Sequence, residues 1–219
     1  MRPSGRIGVL ALQGDVEEHL QALRDAGEPD AVPVTSPDEI RGLRGLILPG
    51  GESTTVGKLM TRWGVDVAIR EEHARGMALF GTCTGMILLA TRIEGSDQPR
   101  LGLMEITVRR NAFGRQVDSF EADLDIPLLG PPPARGVFIR APIVIQAGPG
   151  VEVRATVEPT APEPSEAPPA PCSVEQKRDP AQETSAVLVR EGRCLAAAFH
   201  PELAGERRIH RLFLEMTEK

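Results

Sequence analysis

Short apolar runs followed by glycine-containing turns restrict the fold of this chain more than any other feature. Such runs occupy residues 7–12, 46–48 and 77–79, and each leads into a segment with helical character. Continuous apolar runs are typical of strands covered on both faces. Strands that alternate with helices at this spacing predict a parallel sheet with helices on both sides. The first half of the chain is therefore predicted to be α/β.

Helix signals agree with this interpretation. Residues 17–25 place Leu20 and Leu23 on one face, and Gly27 is a suitable C-terminal stop. Pro37 suits the first position of a second helix. Further helices are predicted at residues 54–60, at 65–74 and after the turn at 80–85, and a short strand at 31–34.

Beyond residue 101 the pattern changes, because strand-like runs follow one another with few helix signals between them. We predict an antiparallel extension of the sheet, in which Glu191 and Gly192 form the turn of a hairpin. The end of the chain, residues 206–218, has helical periodicity. The strands are predicted at residues 105–108, 136–139, 143–145, 151–153, 185–189 and 194–199.

Size, charge and cysteine content limit the class of protein. The 219 residues are expected to form one domain, residues 1–219. The net charge of −6 argues against a surface for nucleic acid or for an anionic membrane. Three cysteines without metal-ligand spacing suit a reducing compartment. Since neither a membrane-length apolar run nor a signal peptide is apparent, we expect a cytoplasmic protein without a metal or cofactor.

A proline-rich stretch at about residues 158–182 differs from the rest of the chain. It has almost no large apolar side chain, so burial cannot offset the entropy of ordering it. We predict a flexible loop between two strands, with Cys172 as an exposed bystander. A docking segment is the alternative, because proline-rich sequences also serve as recognition motifs.

Cys83 stands between a predicted strand and a predicted helix, in the sequence FGTCTG. A helix N-terminus favours the thiolate through its dipole and its free N–H groups. The arrangement matches the nucleophile elbow that other hydrolases build with serine. A buried, inert thiol is the alternative, but Gly81 and Gly85 allow a tight turn and leave room for a substrate. We therefore predict Cys83 as a nucleophile, and Cys194, which lies in an apolar strand, as a core residue.

The sequence His200-Pro201-Glu202 supplies a candidate base and a carboxylate. Proline disfavours helical geometry at the residue before it, and in extended chain positions i and i+2 project to the same side. Glu202 can therefore reach the imidazole of His200 and orient it, as in a catalytic triad. A histidine that only bonds a carbonyl is the alternative. The remaining histidines lie on helix-like segments among charged residues and are predicted to be solvated: His19, His73 and His210.

Residues 50–53 (GGES) follow a predicted strand and open a helix. An ordinary turn with Ser53 as the helix cap is one interpretation. The other makes the N–H of Gly51 an oxyanion donor, working with the N–H of Thr84. Preorganised donors of this kind stabilise a transition state by about 3–4 kcal/mol each, so together with Cys83 the motif predicts acyl-transfer chemistry.

These residues belong to stretches in which the chain resembles the glutaminase subunits of pyridoxal 5′-phosphate synthases, a family of triad (class I) glutamine amidotransferases. The resemblance extends from residue 7 to about residue 215. Two of its stretches, RNAFGRQ and GVFIRAP, indicate this subfamily in particular. The matching stretches are residues 10–14, 46–55, 80–83, 110–116, 136–142 and 199–203.

The resemblance implies a flavodoxin-like, three-layer α/β fold and the hydrolysis of L-glutamine to glutamate and ammonia. The family's triad falls on Cys83, His200 and Glu202. It further implies that ammonia passes to a (β/α)8-barrel synthase subunit, whose dodecameric core the glutaminase subunits decorate and which activates them on docking. The glutamine-binding positions of the family fall on Gly51, Glu52, Ser53, Arg110, Ile139 and Arg140.

The residue chemistry is compatible with these assignments but leaves alternatives open. Arg110 and Arg140 suit a substrate carboxylate, although solvated surface arginines are the plain alternative. Glu52 suits an α-ammonium group or simply the first turn of a helix. Thr84 replaces the alanine more usual in the family, which should be tolerated because the donor is a backbone N–H. The proline-rich stretch is also longer than the family's usual connection.

Rival functions also remain at this point. The chain could serve as the glutaminase of another synthase, or as a catalytically silent regulatory subunit. A related cysteine hydrolase acting on peptides or γ-glutamyl chains would need a wider cleft.

Overall fold

The structure is a computed structural model that describes residues 5–112, 119–158 and 185–218. Its helices and strands largely follow the predicted order along the chain. The helices are α1 (Val16–Ala26), α2 (Pro37–Ile40), α3 (Ser53–Trp63), α4 (Val65–Ala74), α5 (Thr84–Leu89) and α6 (Arg207–Thr217). The strands are β1 (Ile7–Leu10), β2 (Val32–Val34), β3 (Gly45–Leu48), β4 (Ala78–Thr82), β5 (Ala90–Ile93), β6 (Met104–Arg109), β7 (Ser119–Leu124), β8 (Ala134–Ile139), β9 (Ile143–Ala147), β10 (Glu152–Val157), β11 (Ser185–Glu191) and β12 (Cys194–Ala197).

One large sheet joins a parallel half to an antiparallel half. Its strand order is β2-β1-β3-β4-β12-β11-β9-β6-β5, with β10 paired to β11 beside this path. Strands β2, β1, β3, β4 and β12 run parallel to one another. From β12 onwards the pairs β12–β11, β11–β9 and β9–β6 are antiparallel, and β5 pairs parallel to β6. The predicted α/β fold with a mostly parallel sheet and an antiparallel extension is confirmed.

Alternation along β4 shows which helices cover which face of the sheet. The Phe80 ring packs against residues of α1 and α6, with its centroid 5.7 Å from that of Phe213. The neighbouring Gly81 faces the other way, where an added Cβ would meet α5 at Gly85 and Leu89. Because successive side chains of a strand point to opposite faces, α1 and α6 lie on one side of the sheet and α5 on the other. The result is three layers.

The two residues that were predicted to mark helix ends, Gly27 and Pro37, lie at the ends of helices. Gly27 ends α1 in a left-handed conformation, with φ 102°. Pro37 begins α2, where Ser36 and Glu39 form a capping box. The predicted burial of Leu20 and Leu23 is also confirmed. One cap differs from the prediction, since Glu52 and not Ser53 precedes α3.

Two strands were not predicted. β5 takes up residues at the end of a run expected to be helical, and β7 forms a separate two-stranded sheet with β8. In that sheet the rings of Phe120 and Phe138 stack with centroids 4.5 Å apart. Phe138 also packs against Phe199, just before His200. The small sheet thus contributes to the wall of the site described below.

Some predictions concern residues outside the described ranges. They are the proline-rich stretch beyond residue 158, Cys172 and residues 113–116 of the RNAFGRQ motif. Among the described residues, no helix combines the length and apolar character needed to cross a lipid bilayer.

Candidate active site

The carboxyl ends of the parallel strands place the candidate residues together. Cys83 directly follows β4, and His200 follows β12. These two strands are neighbours in register, with Thr82 opposite Ala197. The N–H of Cys83 donates to the carbonyl of Ala197 at 2.8 Å. Side chains that follow adjacent parallel strands meet at one edge of the sheet, so strand pairing brings the thiol and the imidazole together.

Cys83 has a strained backbone. Its φ is 47° and its ψ −100°, a left-handed region that side chains other than glycine rarely adopt. The residue is 8% exposed and stands immediately before α5. Its Sγ lies 3.8 Å from the carbonyl oxygen of Ile139. A sharp strand-to-helix turn of this kind is the predicted nucleophile elbow.

The glycines beside Cys83 permit close packing of the backbone. A Cβ at Gly81 would lie 2.4 Å from the carbonyl carbon of Gly85, and one at Gly85 would lie 2.1 Å from the carbonyl oxygen of Leu48. These glycines were predicted to allow a tight turn and to leave room for a substrate. The structure shows the first role, since they let β4, α5 and β3 approach one another around the turn. Gly50 does leave space for a side chain, since its Cβ would lie 2.3 Å from Cε1 of His200.

The predicted contact between His200 and Glu202 is present. Nδ1 of His200 lies 2.7 Å from Oε1 of Glu202, and both residues are buried. The N–H of His200 donates to the carbonyl of Val137 in β8 at 2.8 Å, which fixes the residue against the small sheet. The Cys83 thiol is near enough to the imidazole to help raise the pKa of His200.

A second carboxylate approaches the same imidazole nitrogen. Oδ2 of Asp15 lies 3.2 Å from Nδ1 of His200. Burial disfavours a charge on His200, but hydrogen bonds with Asp15, Cys83 and Glu202 outweigh it and raise the pKa of His200 to about 12. Burial raises the pKa of Glu202, against the opposing effect of His200. The imidazole therefore keeps its proton at neutral pH.

His19 and His210 were predicted to be solvated, and this was wrong. Both are fully buried. Nδ1 of His19 lies 3.0 Å from Nε2 of His210, and Nε2 of His19 lies 3.1 Å from Oγ1 of Thr82. Nε2 of His19 is also 3.4 Å from Oε1 of Glu202. The two imidazoles thus form a polar layer behind the carboxylate of Glu202.

His73 and Cys194 form a separate contact away from these residues. Sγ of Cys194 lies 3.6 Å from Nε2 of His73, and Nδ1 of His73 lies 2.8 Å from the carbonyl oxygen of Met77. His73 is half-buried, which corrects the prediction that it is solvated. Cys194 is buried as predicted, and burial raises its pKa to about 12. A thiol with so high a pKa is not a nucleophile.

The GGES turn is tied to the cysteine turn by a hydrogen bond. The hydroxyl of Thr84 donates to the carbonyl of Gly51 at 2.6 Å. The carboxylate of Glu52 accepts from the N–H groups of Thr54 and Thr55 and so caps α3. A hydrogen bond from the Thr55 hydroxyl is the main reason that the pKa of Glu52 falls to about 2. The GGES turn therefore contains a permanently ionised carboxylate.

Four of the predicted glutamine-binding residues divide into two groups in the structure. Ile139 contributes the carbonyl near the thiol, and the exposed Arg140 follows it with φ 43°. Ser53 and Arg110 both donate to the side-chain oxygen of Gln98, at 3.4 and 2.8 Å.

Asp15, His19 and Gln98 were not recognised as site residues from the sequence. For His19 a signal existed, since it lies four residues before the core residue Leu23 on α1. Asp15 follows the end of the first predicted strand, where site residues of parallel sheets collect. For Gln98, in the connection from β5 to β6, no comparable signal exists.

A thiol on a strained turn, at the same sheet edge as an imidazole held by carboxylates, is the arrangement of a cysteine-dependent acyl-transfer site. Comparison with known proteins gives the family. The chain matches the SNO glutamine amidotransferase family over residues 9–219. It is 50% identical over 210 residues to "Pyridoxal 5'-phosphate synthase subunit PdxT" of Pelotomaculum thermopropionicum, covering 96% of this chain and 94% of that protein. The chain belongs to the SNO glutamine amidotransferase family.

Further comparisons agree. The protein of the same name from Thermotoga petrophila is 43% identical over 213 residues, covering 97% of this chain and 100% of that one. A solved structure described as a glutamine amidotransferase aligns with a TM-score of 0.81 at 46% identity, covering 97% of this chain and 99% of its own. PurLQS from Thermotoga maritima, at 18% identity and a TM-score of 0.59, covering 98% and 99%, shares the fold alone.

Proposed function

We propose that this protein is the glutaminase subunit of a pyridoxal 5′-phosphate synthase, which hydrolyses L-glutamine and supplies the ammonia to a synthase subunit. The single observation that carries the proposal is that Cys83, on a strained strand-to-helix turn, follows the strand paired with the one that His200 and its partner Glu202 follow. Relatives named as subunits of that synthase match almost the whole chain, which supports the particular substrate and pathway.

Cys83 attacks the carbonyl carbon of the glutamine side-chain amide as a thiolate, while His200 carries the proton. His200 gives its proton to the departing nitrogen, which leaves as ammonia, and a glutamyl thioester remains on Cys83. His200 then takes a proton from water, and the resulting nucleophile cleaves the thioester to release glutamate. Glu202 holds the imidazole in the orientation that both proton transfers need.

In this proposal the N–H groups of Gly51 and Thr84 stabilise the oxyanion. Thr84 is the first residue of α5, where backbone N–H groups lack partners within the helix. The bond from the Thr84 hydroxyl to the Gly51 carbonyl holds the two turns together. Once docking of the synthase subunit has fixed these donors, they act without reorganisation during the reaction.

The glutamine backbone is assigned to charged groups on either side of the sulfur. Arg110 and Arg140 attract the carboxylate. Glu52, ionised with a pKa of about 2, attracts the α-ammonium group. Ser53 and Ile139 complete the set of contacts, and a carbonyl oxygen of Ile139 already lies 3.8 Å from the sulfur.

We further propose that the synthase subunit is a (β/α)8 barrel whose dodecameric core carries the glutaminase subunits, and that the assembly works in the cytoplasm. Docking of the barrel organises the oxyanion hole, so the isolated chain hydrolyses glutamine slowly.

Ammonia release from L-glutamine, measured with and without the cognate synthase subunit, tests the proposal. We expect a strong increase on addition of the synthase subunit. Cys83→Ala should fold normally, as judged by thermal unfolding, and lose hydrolysis. Turnover retained by this variant refutes the nucleophile, and equal rates with and without the synthase refute partner activation.

Two rival functions predict different results from these. A silent regulatory subunit predicts that Cys83 resists thiol labelling and releases no ammonia even in the assembled complex. A peptide or γ-glutamyl hydrolase predicts faster turnover of a γ-glutamyl peptide than of glutamine.

A further inference from the structure

Gln98 is a buried polar residue beside two of the assigned glutamine-binding residues. It lies between β5 and β6 and is 7% exposed. Its side-chain oxygen accepts from Arg110 at 2.8 Å, from the Thr54 hydroxyl at 3.2 Å and from the Ser53 hydroxyl at 3.4 Å. One amide oxygen therefore joins the start of α3 to the arginine that follows β6.

The connection that carries Gln98 is itself held against α3. A Cβ at Gly57 would lie 2.3 Å from the carbonyl oxygen of Pro99, so this position in the helix must be glycine for the two backbones to approach so closely. Arg70 of α4 donates to the carbonyl of Arg100 at 2.8 Å. The amide of Gln98 thus has a fixed position from which it can orient Arg110.

Hydrogen bonds along the GGES turn connect the surroundings of Arg110 with the turn that carries Cys83. Thr84, next to Cys83, bonds Gly51, and two residues further along Ser53 bonds Gln98. Within residues 5–112, 119–158 and 185–218, no ion pair includes Arg110. The Thr54 hydroxyl lies 3.4 Å from its Nη1. Among the residues that the structure describes, the partners of this half-buried guanidinium are neutral, so they do not offset its attraction for a carboxylate.

Gln98 can hold Arg110 without neutralising its charge because the side chain of Gln98 is an uncharged amide. A carboxylate at this position would accept the same hydrogen bonds but would also neutralise Arg110 locally. A neutral acceptor fixes the guanidinium without competing with an anionic ligand. The remaining side-chain nitrogen of Gln98 is buried without a hydrogen-bond partner among the described residues, so the amide also keeps unused donors.

We propose that Gln98 is a positioning residue for substrate recognition, which holds Arg110 uncompensated so that it binds the α-carboxylate of L-glutamine. This inference rests on the proposed glutaminase function and goes beyond it by assigning a determinant of substrate specificity. It predicts a role in binding rather than in bond cleavage, because Gln98 touches Arg110 and α3 and not the residues of the triad.

The experiment uses the complex with the synthase subunit and compares Gln98→Glu, Gln98→Met and wild type. The control is Gln146→Glu, which adds the same charge at an exposed position of β9. Two substrates are compared: L-glutamine, and the analogue in which a carboxamide replaces the α-carboxylate. Steady-state KM and kcat are measured for each, and thermal unfolding checks that the variants fold.

For L-glutamine, we expect Gln98→Glu to raise KM about tenfold or more with little change in kcat, since a charge-assisted contact is lost. Gln98→Met should raise KM less, because it frees Arg110 without neutralising it. Gln146→Glu should leave KM unchanged. For the carboxamide analogue, kcat/KM should be the same in Gln98→Glu and wild type.

Two results overturn the inference: an unchanged KM for glutamine in Gln98→Glu, or an equal loss for both substrates, which marks a merely structural role. If Gln98→Glu does not fold, the same criteria are applied to Gln98→Met. A failure of the proposed function is distinguishable, because the wild-type complex would then release no ammonia from glutamine.

Discussion

Asp15 lies 3.2 Å from Nδ1 of His200, the nitrogen that Glu202 approaches at 2.7 Å. Glu202 is buried and has the shorter contact, whereas the Asp15 side chain is about one-third exposed. Glu202 is therefore the orienting carboxylate, and Asp15 adds charge to the same imidazole from the loop before α1. Both lower the free energy of the protonated imidazole.

Removing the charge of Asp15 should lower the pKa of His200. In Asp15→Asn we expect a decrease of about 1 pH unit, at the low end of what a hydrogen bond to a charged group contributes because Asp15 is partly solvated. The titration of the His200 ring followed by NMR measures this directly. Glutamine hydrolysis should persist at a reduced rate.

Glu202→Gln is the matched comparison, since it removes the charge of the buried carboxylate. We expect a larger loss of kcat from Glu202→Gln than from Asp15→Asn, because the former leaves the imidazole without its main orienting partner. An equal loss in both variants would show that Asp15 shares the orienting role. An unchanged titration in Asp15→Asn would show that the contact is electrostatically unimportant.

The hydroxyl of Thr84 should stabilise the site without taking part in the reaction. Its bond to the Gly51 carbonyl is short, at 2.6 Å, and a net contribution of about 1 kcal/mol is typical. Thr84→Ala should therefore lower the free energy of unfolding by about that amount and leave kcat unchanged, because the oxyanion donor is the backbone N–H. Urea unfolding and ammonia release measure the two effects, with Thr84→Ser as the control that keeps the hydroxyl. A large loss of kcat in Thr84→Ala would show that the hydroxyl takes part in the reaction as well as in stability.

Gly85→Ala should disrupt the nucleophile turn. The added Cβ would lie 2.1 Å from the backbone oxygen of Leu48, which no side-chain rotation can relieve. We expect loss of glutamine hydrolysis and destabilisation of at least about 3 kcal/mol, the upper end for overpacked cores. Gly27→Ala is the control, since its Cβ meets nothing within 4 Å and only the left-handed backbone is strained. It should cost about 1–2 kcal/mol and keep activity, as measured by urea unfolding and the glutaminase assay.

The sequence was sufficient for residues whose partners are close along the chain. The contact of Glu202 with His200, two residues away, was predicted correctly, although residues 201–205 form a turn and not the extended chain that the prediction assumed. The strand-to-helix turn predicted the setting of Cys83. Asp15 reaches His200 only because the loop between β1 and α1 and the end of β12 lie at one edge of the sheet. β3 and β4 separate those strands, so this proximity depends on a strand order that periodicity does not reveal.

The burial of His19 and His210 was the second feature that the sequence did not predict. His19 has the charged neighbours Glu17 and Glu18, which suggested a solvated position, but those carboxylates lie on the exposed face of α1. His19 shares the inward face with Leu23. His210 likewise lies between the buried residues Ile209 and Phe213 on α6. Periodicity within each helix predicts burial more reliably than the polarity of adjacent residues.

The buried pair His19 and His210 should make the protein sensitive to mild acid. Burial lowers the pKa of His210 to about 4 and, with the nearby charges of His210 and His200, lowers that of His19 well below its usual value. Below about pH 6.5 the unfolded chain therefore binds protons that the folded chain does not. The stability that these two neutral imidazoles contribute is fully present above that pH and decreases as the pH falls towards 4, by up to about 1.4 kcal/mol per pH unit for each histidine.

Replacing one imidazole should weaken this dependence. In His210→Gln, which keeps an amide in place of the ring nitrogen, the free energy of unfolding should fall less steeply between pH 6.5 and about pH 5. Urea unfolding of wild type and variant at several pH values in this window measures the slopes. Above pH 7 the variant should be less stable than wild type, since the polar contact with His19 is imperfectly replaced. Identical slopes would mean that His210 takes up its proton without unfolding, and would contradict the burial argument.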